Sequence, residues 1–555
     1  MGQIPIVATA VGNLLAGLGA RRCFGVLGTA NFKVTHALSE AGVEFIAAGH
    51  EGNAATMGDA YARMSGELTL VSVHSGPGLT NAITGIGEAA KSRTPLLVLA
   101  GDVATGDTKS NFHIEQAELV RSVGAEFHRV NTASTALSDT QRAVVRALWD
   151  RRTVVLSLPS DVQDAEIQNS NTARQMPTAL PAMPPHPTAI AKLFDAIQSS
   201  ERPLILAGRG ALLAKEPLVA IGDCIGALLA TSACAHGLFA ENPWSLGISG
   251  GFASPAALEL IPQSDLILGF GVSFTKWTTR HGSLISPDAK VVQIDIDAER
   301  LGIHHALDYS ILGDARATAE ALLLEFDKQG TSTNRKGRWR TSSTRKRIEA
   351  GSTHDAPYSD TSSSKFIDPR TISKAIDNII PSDRIIITDA GHSMGWAPLY
   401  LRVPDQHSWC QLASFQSVGL GLATAIGAGL AQRGRLVVLA TGDGGLMMSI
   451  SDLATAIHLG LRMCILVFND AAYGAEVHYY RRRGFSTDIV TFPETDFAAI
   501  ARGFGARGTV VRTVADLEPL RAWIAEGAPG VFIVDAKVDP AVEADWFQDA
   551  FKITD

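Results

Sequence analysis

Apolar runs alternate with amphipathic stretches along almost the whole chain, and the alternation falls into three blocks. The first block, to about residue 170, contains strand-like runs such as CFGVLG, LTLVSVHSG and TVVLSLP, with segments of helical spacing between them. The later blocks repeat this pattern with PLILAGRG, SDLILGFGVSF and KVVQIDID, and then with DRIIITDAG, RLVVLATGDGG and MCILVFND. Short apolar runs separated by helices are typical of parallel strands covered on both faces. We therefore predict an α/β fold with three consecutive doubly wound parallel-sheet domains.

Two polar stretches separate the blocks and set the predicted domain boundaries. Five prolines between residues 177 and 187 break the periodicity after the first block. Residues 331–365 are polar and basic with few apolar anchors, which favours a surface linker over a binding segment for an anionic partner. The predicted domains are residues 1–172, 186–330 and 366–555, with 331–365 as a linker.

Composition favours a large enzyme over a nucleic-acid-binding or membrane protein. The chain has 555 residues, too many for one core, and is 46% hydrophobic with 52 glycines. Its net charge of −8 gives no reason to expect nucleic acid as a partner. No run reaches the roughly 18 apolar residues of a membrane span, and the N-terminus reads as an amphipathic helix. Five scattered cysteines without a CxxC pair favour a reducing compartment, so we expect a cytoplasmic protein.

A glycine-rich turn with an acidic residue supplies the first candidate chemistry. Gly442, Asp443, Gly444 and Gly445 follow one strand-like run, and Asn469 follows the next. Oxygen side chains at the carboxyl ends of adjacent parallel strands suit Mg²⁺, and the glycines allow close approach to phosphate oxygens. An Asp-Gly turn without a ligand is the alternative, because such turns are common. The pairing with Asn469 favours a diphosphate held through magnesium.

These motifs, taken in order, resemble a known family. The GDG sequence with Asn469 resembles the diphosphate-binding signature of thiamin diphosphate (ThDP) enzymes, and Ser75–Asn81 resembles the SGPG-x-x-N loop of their first domain. The run 415–427 resembles their GTMGFGLPAAIGA segment. The chain is therefore similar, over nearly its full length, to the acetolactate synthase and 2-oxoacid decarboxylase family of ThDP enzymes. The resemblance implies pyrimidine-binding, middle and diphosphate-binding domains, and a homodimer or homotetramer with sites across the dimer interface.

In the first block the resemblance implies catalytic and cofactor-binding residues. Glu51, at the start of a helix of small residues, matches the glutamate that shares a proton with the aminopyrimidine, whereas its alternative role is an ordinary helix-start glutamate. His74 and His113 are candidates for proton handling, and each could instead be a hydrogen-bonded loop residue. Gly28 and Asn31 match the early glycine loop that borders the reactive carbon.

In the third block the resemblance completes the cofactor site. It implies that Gly391 and His392 touch the diphosphate, that Gln416 lies in the cofactor loop, and that Val418 supports the bent cofactor. Asp443 and Asn469 would bind Mg²⁺ through their side chains, and Ala471 through its backbone carbonyl oxygen. The cofactors implied are ThDP and Mg²⁺.

Several positions depart from a standard acetolactate synthase. Residues 273–278 lack the expected arginine, and residues 474–480 read GAEVHYY where the synthase has GMVxQWQ. These differences put FAD binding and acetolactate specificity in doubt. We expect ThDP- and Mg²⁺-dependent cleavage of a 2-oxoacid by decarboxylation, followed by protonation or carboligation of the remaining fragment. The alternatives are a decarboxylase or aldehyde lyase of the benzoylformate decarboxylase type, an acyl-CoA lyase, and a catalytically silent regulatory paralogue.

Overall fold

The computed structural model describes residues 5–167, 182–330 and 339–550. They form three six-stranded sheets, and every strand pairing within these sheets is parallel. Helices connect the strands and cover the sheet faces. The predicted fold class is therefore confirmed. None of the helices in the described ranges is long and apolar enough to cross a membrane.

The first sheet has the strand order β2-β1-β3-β4-β6-β5. Its central strands β3, β4 and β6 are mainly apolar, and every residue in them is buried. The elements are α1 Val7–Gly17, β1 Arg22–Gly25, α2 Thr29–Glu40, β2 Glu44–Ala47, α3 Glu51–Ser65, β3 Thr69–Val73, α4 Pro77–Lys91, β4 Leu96–Asp102, α5 Gln116–Ser122, β5 Glu126–Arg129, α6 Ala136–Trp149, β6 Thr153–Pro159 and α7 Ser160–Asp164.

The second sheet has the order β12-β11-β10-β7-β8-β9. The order in which successive strands are added therefore reverses between β10 and β7, although the strands stay parallel. Its elements are α8 Pro187–Ser199, β7 Pro203–Ala207, α9 Lys215–Ile225, β8 Leu228–Thr231, β9 Ser245–Ile248, α10 Pro255–Leu260, β10 Leu266–Phe270, β11 Lys290–Asp295, β12 Tyr309–Leu312, α11 Ala315–Lys328 and α12 Ser342–Ala350.

The third sheet has the order β14-β13-β15-β16-β18-β17, which repeats the strand order of the first sheet. Its elements are α13 Pro369–Ile379, β13 Arg384–Thr388, α14 Trp396–Tyr400, β14 Trp409–Gln411, α15 Gly421–Ala431, β15 Leu436–Gly442, α16 Asp443–Ser449, α17 Leu453–His458, β16 Met463–Asn469, α18 Gly474–Arg481, α19 Phe497–Phe504, β17 Arg507–Val511, α20 Glu518–Ala525, β18 Val531–Lys537 and α21 Asp545–Ala550.

The segment predicted as a linker is partly built into the middle domain. Residues 331–338, and 168–181 of the proline-rich stretch, lie outside the described residues. Trp339 is buried in the middle core, and the Arg340 guanidinium donates 2.7 Å to the Ala227 carbonyl oxygen and pairs with Asp223. Helix α12 follows. The sequence does not predict these contacts, because the stretch is basic and a buried arginine is rare unless it is paired.

Helices α3 and α15 join the first and third domains. Both consist mainly of small residues, so their backbones can approach closely. A Cβ atom added to Gly427 on α15 would collide with the Met57 carbonyl oxygen of α3. Side chains of both domains form one continuous apolar cluster around this contact. The two domains that carry the sequence motifs are thus held in a fixed relation.

A buried ion network reinforces the same contact. The Arg63 guanidinium lies 2.7 Å from the Asp59 carboxylate and 3.1 Å from Glu88, and both carboxylates are fully buried. Glu88 in turn accepts hydrogen bonds from the backbone N–H groups of Ser414 and Phe415 in the third domain. One arginine therefore balances two buried charges and orients a carboxylate that spans the domains.

We expect Arg63→Met to lower the free energy of unfolding by about 3 kcal/mol or more, because Asp59 and Glu88 would stay buried without their cation. The loss should appear as a lowered thermal unfolding midpoint. Arg316→Ala is the matched control, since its pair with Glu320 is exposed and ion pairs of this kind contribute little to stability. Equal midpoints for the two variants would contradict the role of Arg63.

Candidate functional site

A cavity of about 90 Å³ lies at the carboxyl edge of the third sheet. Three neighbouring strands, β13, β15 and β16, end at Thr388, Gly442 and Asn469, so the loops that follow them meet there. Ligands of open α/β sheets bind at this edge. The cavity is lined, among others, by Gly391, His392, Ser393, Val418, Gly442, Asp443, Gly444, Gly445, Asp470, Ala472, Glu476, Asp539 and Val542.

Two carboxyl groups, the buried Asp443 and the half-buried Asp470, line this cavity and interact directly. Burial raises the pKa of both, and the charge of Asp443 raises the pKa of Asp470 further. Two such groups cannot both ionise in a buried site without a counter-charge. A divalent cation between them would supply that charge and reverse the shifts. The pair therefore fits a hard cation with oxygen ligands.

The structure gives Asn469, a predicted Mg²⁺ ligand, a different role. Its amide donates 2.9 Å to the Thr495 carbonyl oxygen and 2.9 Å to the Asp535 carboxylate. Its Oδ1 atom accepts from the Ala471 N–H, and the Ala471 carbonyl oxygen accepts from Phe492 at 2.7 Å. Both predicted oxygen ligands are thus engaged within the fold. The neighbouring residues Asp470 and Ala472 line the cavity instead.

Gly391 and His392 form the turn after β13, and both line the cavity as the resemblance implied. Gly391 has a φ of 101°, a conformation that glycine adopts without strain. Burial, and secondarily the charge of His478, lowers the pKa of His392 to about 3. Burial also lowers the pKa of His478, whose ring centroid lies 4.4 Å from that of His392, to about 4. Both imidazoles are therefore neutral at neutral pH.

Asp389, which the sequence reasoning passed over, holds three loops of the cavity together. Its buried carboxylate accepts hydrogen bonds from the N–H groups of Ala390 and Gly419 and from the Thr441 hydroxyl. Burial raises its pKa to about 6. The Gly419 contact fixes the position of Val418, which lines the cavity and is 38% exposed. Gln416, also predicted to bind cofactor, is exposed and does not line this cavity.

A second cluster lies in the first domain around Glu51. This half-buried residue begins α3 and accepts a hydrogen bond of 3.0 Å from the Asn81 amide. The His74 ring is close enough for its pKa to be raised by the Glu51 charge, although burial lowers the pKa more strongly. Gly28 lies against the His74 ring, where an added Cβ atom would be 2.7 Å away. The loops after β1 and β3 therefore meet beside the start of α3.

Two predicted site residues of the first domain, Asn31 and His113, are not part of the Glu51 cluster. The Asn31 side chain is buried and fully engaged: its Oδ1 accepts from Gly28 at 2.8 Å, and its amide donates to Val26 and Ser72. It therefore stabilises the glycine loop and is not free to contact a cofactor. His113 lines a separate cavity of about 130 Å³. Its neighbour Phe112 makes the contact with His74, at a ring distance of 5.1 Å.

Contacts within the protein cross the edge of the middle sheet where a nucleotide such as FAD would bind. Ligands of such sheets bind where the strand order reverses, here between β10 and β7. The loops after these strands are in backbone contact, and Gly210 N–H donates to the Gly271 carbonyl oxygen at 3.1 Å. The Arg209 guanidinium reaches the Ser92 carbonyl oxygen, and Asp297 is paired with Arg93. Several polar groups at this edge are thus paired within the protein, whereas the buried Nε atom of Arg93 has no hydrogen-bond partner among the described residues.

The Glu51 cluster does not reach the cavity of its own chain. All residues that line the third-domain cavity fall between 369 and 542, and Glu51 is not among them. The nearest link that the structure shows is Asp452, which accepts 2.8 Å from Gly49 N–H and 2.5 Å from the Asn53 amide. Each chain therefore presents two incomplete parts of a site.

Comparison with known proteins assigns both parts to one family. Three domain families of thiamine pyrophosphate enzymes match the chain: the N-terminal binding domain at residues 6–122, the central domain at 190–322 and the C-terminal binding domain at 389–536. The chain is 28% identical to a probable acetolactate synthase large subunit of Methanocaldococcus jannaschii, covering 96% of this chain and 92% of that protein.

Two further relatives carry different names. A sulfoacetaldehyde acetyltransferase of Alcaligenes xylosoxydans xylosoxydans is 28% identical over 90% of this chain and 87% of its own length. The acetolactate synthase large subunit of Lactococcus lactis is 28% identical over 88% of this chain and 85% of its own length. Together with the three domain matches in family order, these similarities show that the chain belongs to the thiamine pyrophosphate enzyme family that includes the acetolactate synthases, and is a ThDP-dependent enzyme.

Proposed function

We propose that this enzyme binds ThDP with Mg²⁺ and cleaves a 2-oxoacid, by decarboxylation, before the remaining fragment is protonated or joined to an acceptor. The observation that carries the proposal is the Asp443–Asp470 pair in the cavity of the third domain. When bound, ThDP supplies the electron sink for cleavage of the carbon–carbon bond. The residues of the chain bind and orient that group and move protons.

We assign the metal to Asp443, Asp470 and the backbone carbonyl of Ala472. Two carboxylates and one carbonyl leave room for diphosphate oxygens and water, which Mg²⁺ retains in protein sites. Among the described residues there is no group of three or more acidic, histidine or cysteine side chains that could hold a metal by themselves. That result suits a cation that shares its ligands with a phosphate-bearing cofactor.

Further residues of the cavity would hold the diphosphate and the ring system. Gly391, His392, Gly444 and Gly445 line the wall beside the acidic pair and allow close approach of the backbone. Val418, fixed through Gly419 and Asp389, provides the exposed apolar surface on which the cofactor would rest. We retain Gly442 in the site because it precedes Asp443 and lines the same cavity.

We propose that the site is completed by a second copy of the chain. Glu51 lies outside the cavity of its own chain, and its carboxylate is held by Asn81 at the start of α3. Exposed apolar side chains surround both parts of the site: Phe415, Val418, Met447 and Met448 in the third domain, and Leu27, Phe32 and Phe112 in the first. Burial of these surfaces in a homodimer, or in a tetramer built from dimers, would bring Glu51 of one copy to the cavity of the other.

His74 is held as a hydrogen-bond donor in this arrangement. The Ala30 N–H donates to its Nδ1 atom at 3.3 Å, so the neutral ring carries its proton on Nε2. Burial lowers the pKa of His74, which favours this neutral form. The Nε2–H group would orient a substrate carbonyl or carboxylate by a hydrogen bond.

The loop after β16 is the part of the site that would decide the acceptor. It continues as α18, and Glu476 on this helix lines the cavity. Arg482 is paired with Glu543, and Arg483 stacks on Tyr479 at 3.8 Å. Because these two arginines have partners within the protein, they give little support to an acyl-CoA substrate. Glu476 is the residue of this helix that we propose for proton transfer to the cleaved fragment.

We expect Glu51→Gln to lower turnover by about 100-fold or more while ThDP still binds, because the amide cannot exchange a proton. Turnover is measured by CO₂ release, and binding by equilibrium dialysis. Glu115→Gln, an exposed glutamate of the same domain, is the control. Full activity of the Glu51 variant would contradict the assignment of this residue.

Substitutions of Asp470 and Asn469 test which of these two neighbours binds the metal. Asp470→Ala should abolish Mg²⁺-dependent ThDP retention, whereas Asn469→Ala should retain it and instead lower the free energy of unfolding by about 1–3 kcal/mol, because Asp535 loses a buried donor. Calorimetric titration and thermal unfolding measure the two effects. The reverse pattern would restore Asn469 as the ligand.

A panel of 2-oxoacids tests the reaction itself. We expect CO₂ release from at least one member, measured with and without an acceptor aldehyde or a second oxoacid. An unchanged rate and a simple aldehyde product would show protonation, whereas a new ligated product would show carboligation. No CO₂ release from any member, with ThDP bound, would contradict the 2-oxoacid proposal.

A further inference from the structure

The C-terminal segment forms one wall of the candidate diphosphate cavity. Asp539 and Val542 line the cavity directly, and the residues after them turn back over His392. Trp546 is buried against Phe252 and Trp277 of the middle domain, with ring distances of 5.4 and 5.7 Å. This packing holds the segment next to the turn after β13.

The segment makes one directed contact with the site. The backbone N–H of Ala544 donates to Nε2 of His392 at 3.0 Å. A backbone N–H can only donate, so Nε2 must be the unprotonated nitrogen of the ring. A neutral imidazole carries one proton, which then resides on Nδ1. The low pKa of His392 is consistent with the neutral ring.

Nδ1 of His392 is the nitrogen left to act in the cavity. Within the described residues no hydrogen bond involves this atom, and His392 is part of the cavity wall. Two neighbouring rings restrict rotation of the His392 ring. The His478 ring centroid lies 4.4 Å from that of His392, and the Phe547 ring centroid lies 5.4 Å away with its plane nearly perpendicular. The Arg482–Glu543 ion pair also connects the segment to the residue that follows α18.

We propose that the C-terminal segment, through the Ala544 N–H, fixes the tautomer of His392 so that Nδ1–H is presented to the cofactor diphosphate. Ala544 is therefore a positioning residue. The opposite tautomer would turn a bare nitrogen lone pair toward phosphate oxygens and repel them. The inference rests on the proposed ThDP site and adds a requirement for the C-terminal segment in cofactor binding.

Two substitutions of His392 distinguish the nitrogens. Asn places its amide N–H₂ where Nδ1 lies, whereas Gln places it near Nε2. We expect His392→Gln to weaken the binding of ThDP with Mg²⁺ about 10- to 100-fold, since a hydrogen bond to a charged group is lost. His392→Asn should weaken it at least ten times less. Equilibrium dialysis of the full-length variants measures both dissociation constants, and Mg²⁺–pyrophosphate competition shows whether the difference resides in the diphosphate.

The backbone donor is tested by proline. Ala544→Pro removes the N–H, and we expect ThDP binding to weaken by about tenfold or more. Asp545→Pro is the matched control, because proline suits the first position of α21 and leaves the Ala544 N–H in place. Thermal unfolding identifies a variant that fails to fold, in which case the comparison of the His392 variants decides.

The outcomes separate this inference from the proposed function. Failure of the wild-type chain to bind ThDP would overturn the proposed function. Wild-type binding with equal losses in His392→Asn and His392→Gln, or a greater loss in the Asn variant, would overturn the tautomer assignment alone. Retention of full affinity by a folded Ala544→Pro variant would overturn the role of the C-terminal segment.

Discussion

The organisation of the third domain depends on one unfavourable interaction, the contact between the carboxyl groups of Asp443 and Asp470. Burial and mutual repulsion raise the free energy of the doubly ionised pair, so the site is most stable when a cation joins it. The surrounding fold keeps the pair in place: adjacent strands deliver the two residues, and Asp389 ties the neighbouring loops together. A cavity built in this way would bind metal and diphosphate as a unit, because each would neutralise the other.

The sequence predicts the three sheets well because continuous apolar runs and glycine turns are local signals. Asp443, Gly391 and His392 lie in turns that follow strands of the third sheet, and strands of a parallel sheet end at one edge, so these residues line one cavity. The sequence does not show how the side chains of Asn469 and Asn31 are engaged, because their hydrogen-bond partners, such as Thr495, Asp535 and Ser72, are distant in sequence. Ala544 and Asp389 carry no motif, and only the folded chain reveals their contacts.

The edge of the middle sheet contributes to the contact between domains. Its strand order has the reversal at which such sheets bind nucleotides, and residues at that edge reach the first domain. Arg209 and Arg93 make contacts between the first and middle domains there. These two arginines therefore help to hold the two domains together.

The shared strand order of the first and third domains has a further consequence at the contact between α3 and α15. Each of these helices follows the second strand of its domain and precedes the third, so they are topologically equivalent. Equivalent surfaces that pack on each other generate an approximate twofold axis within a single chain, as in an isologous dimer. The first and third domains thus repeat one strand order and meet through equivalent helices, and the acid pair lies in the third domain whereas Glu51 lies in the first.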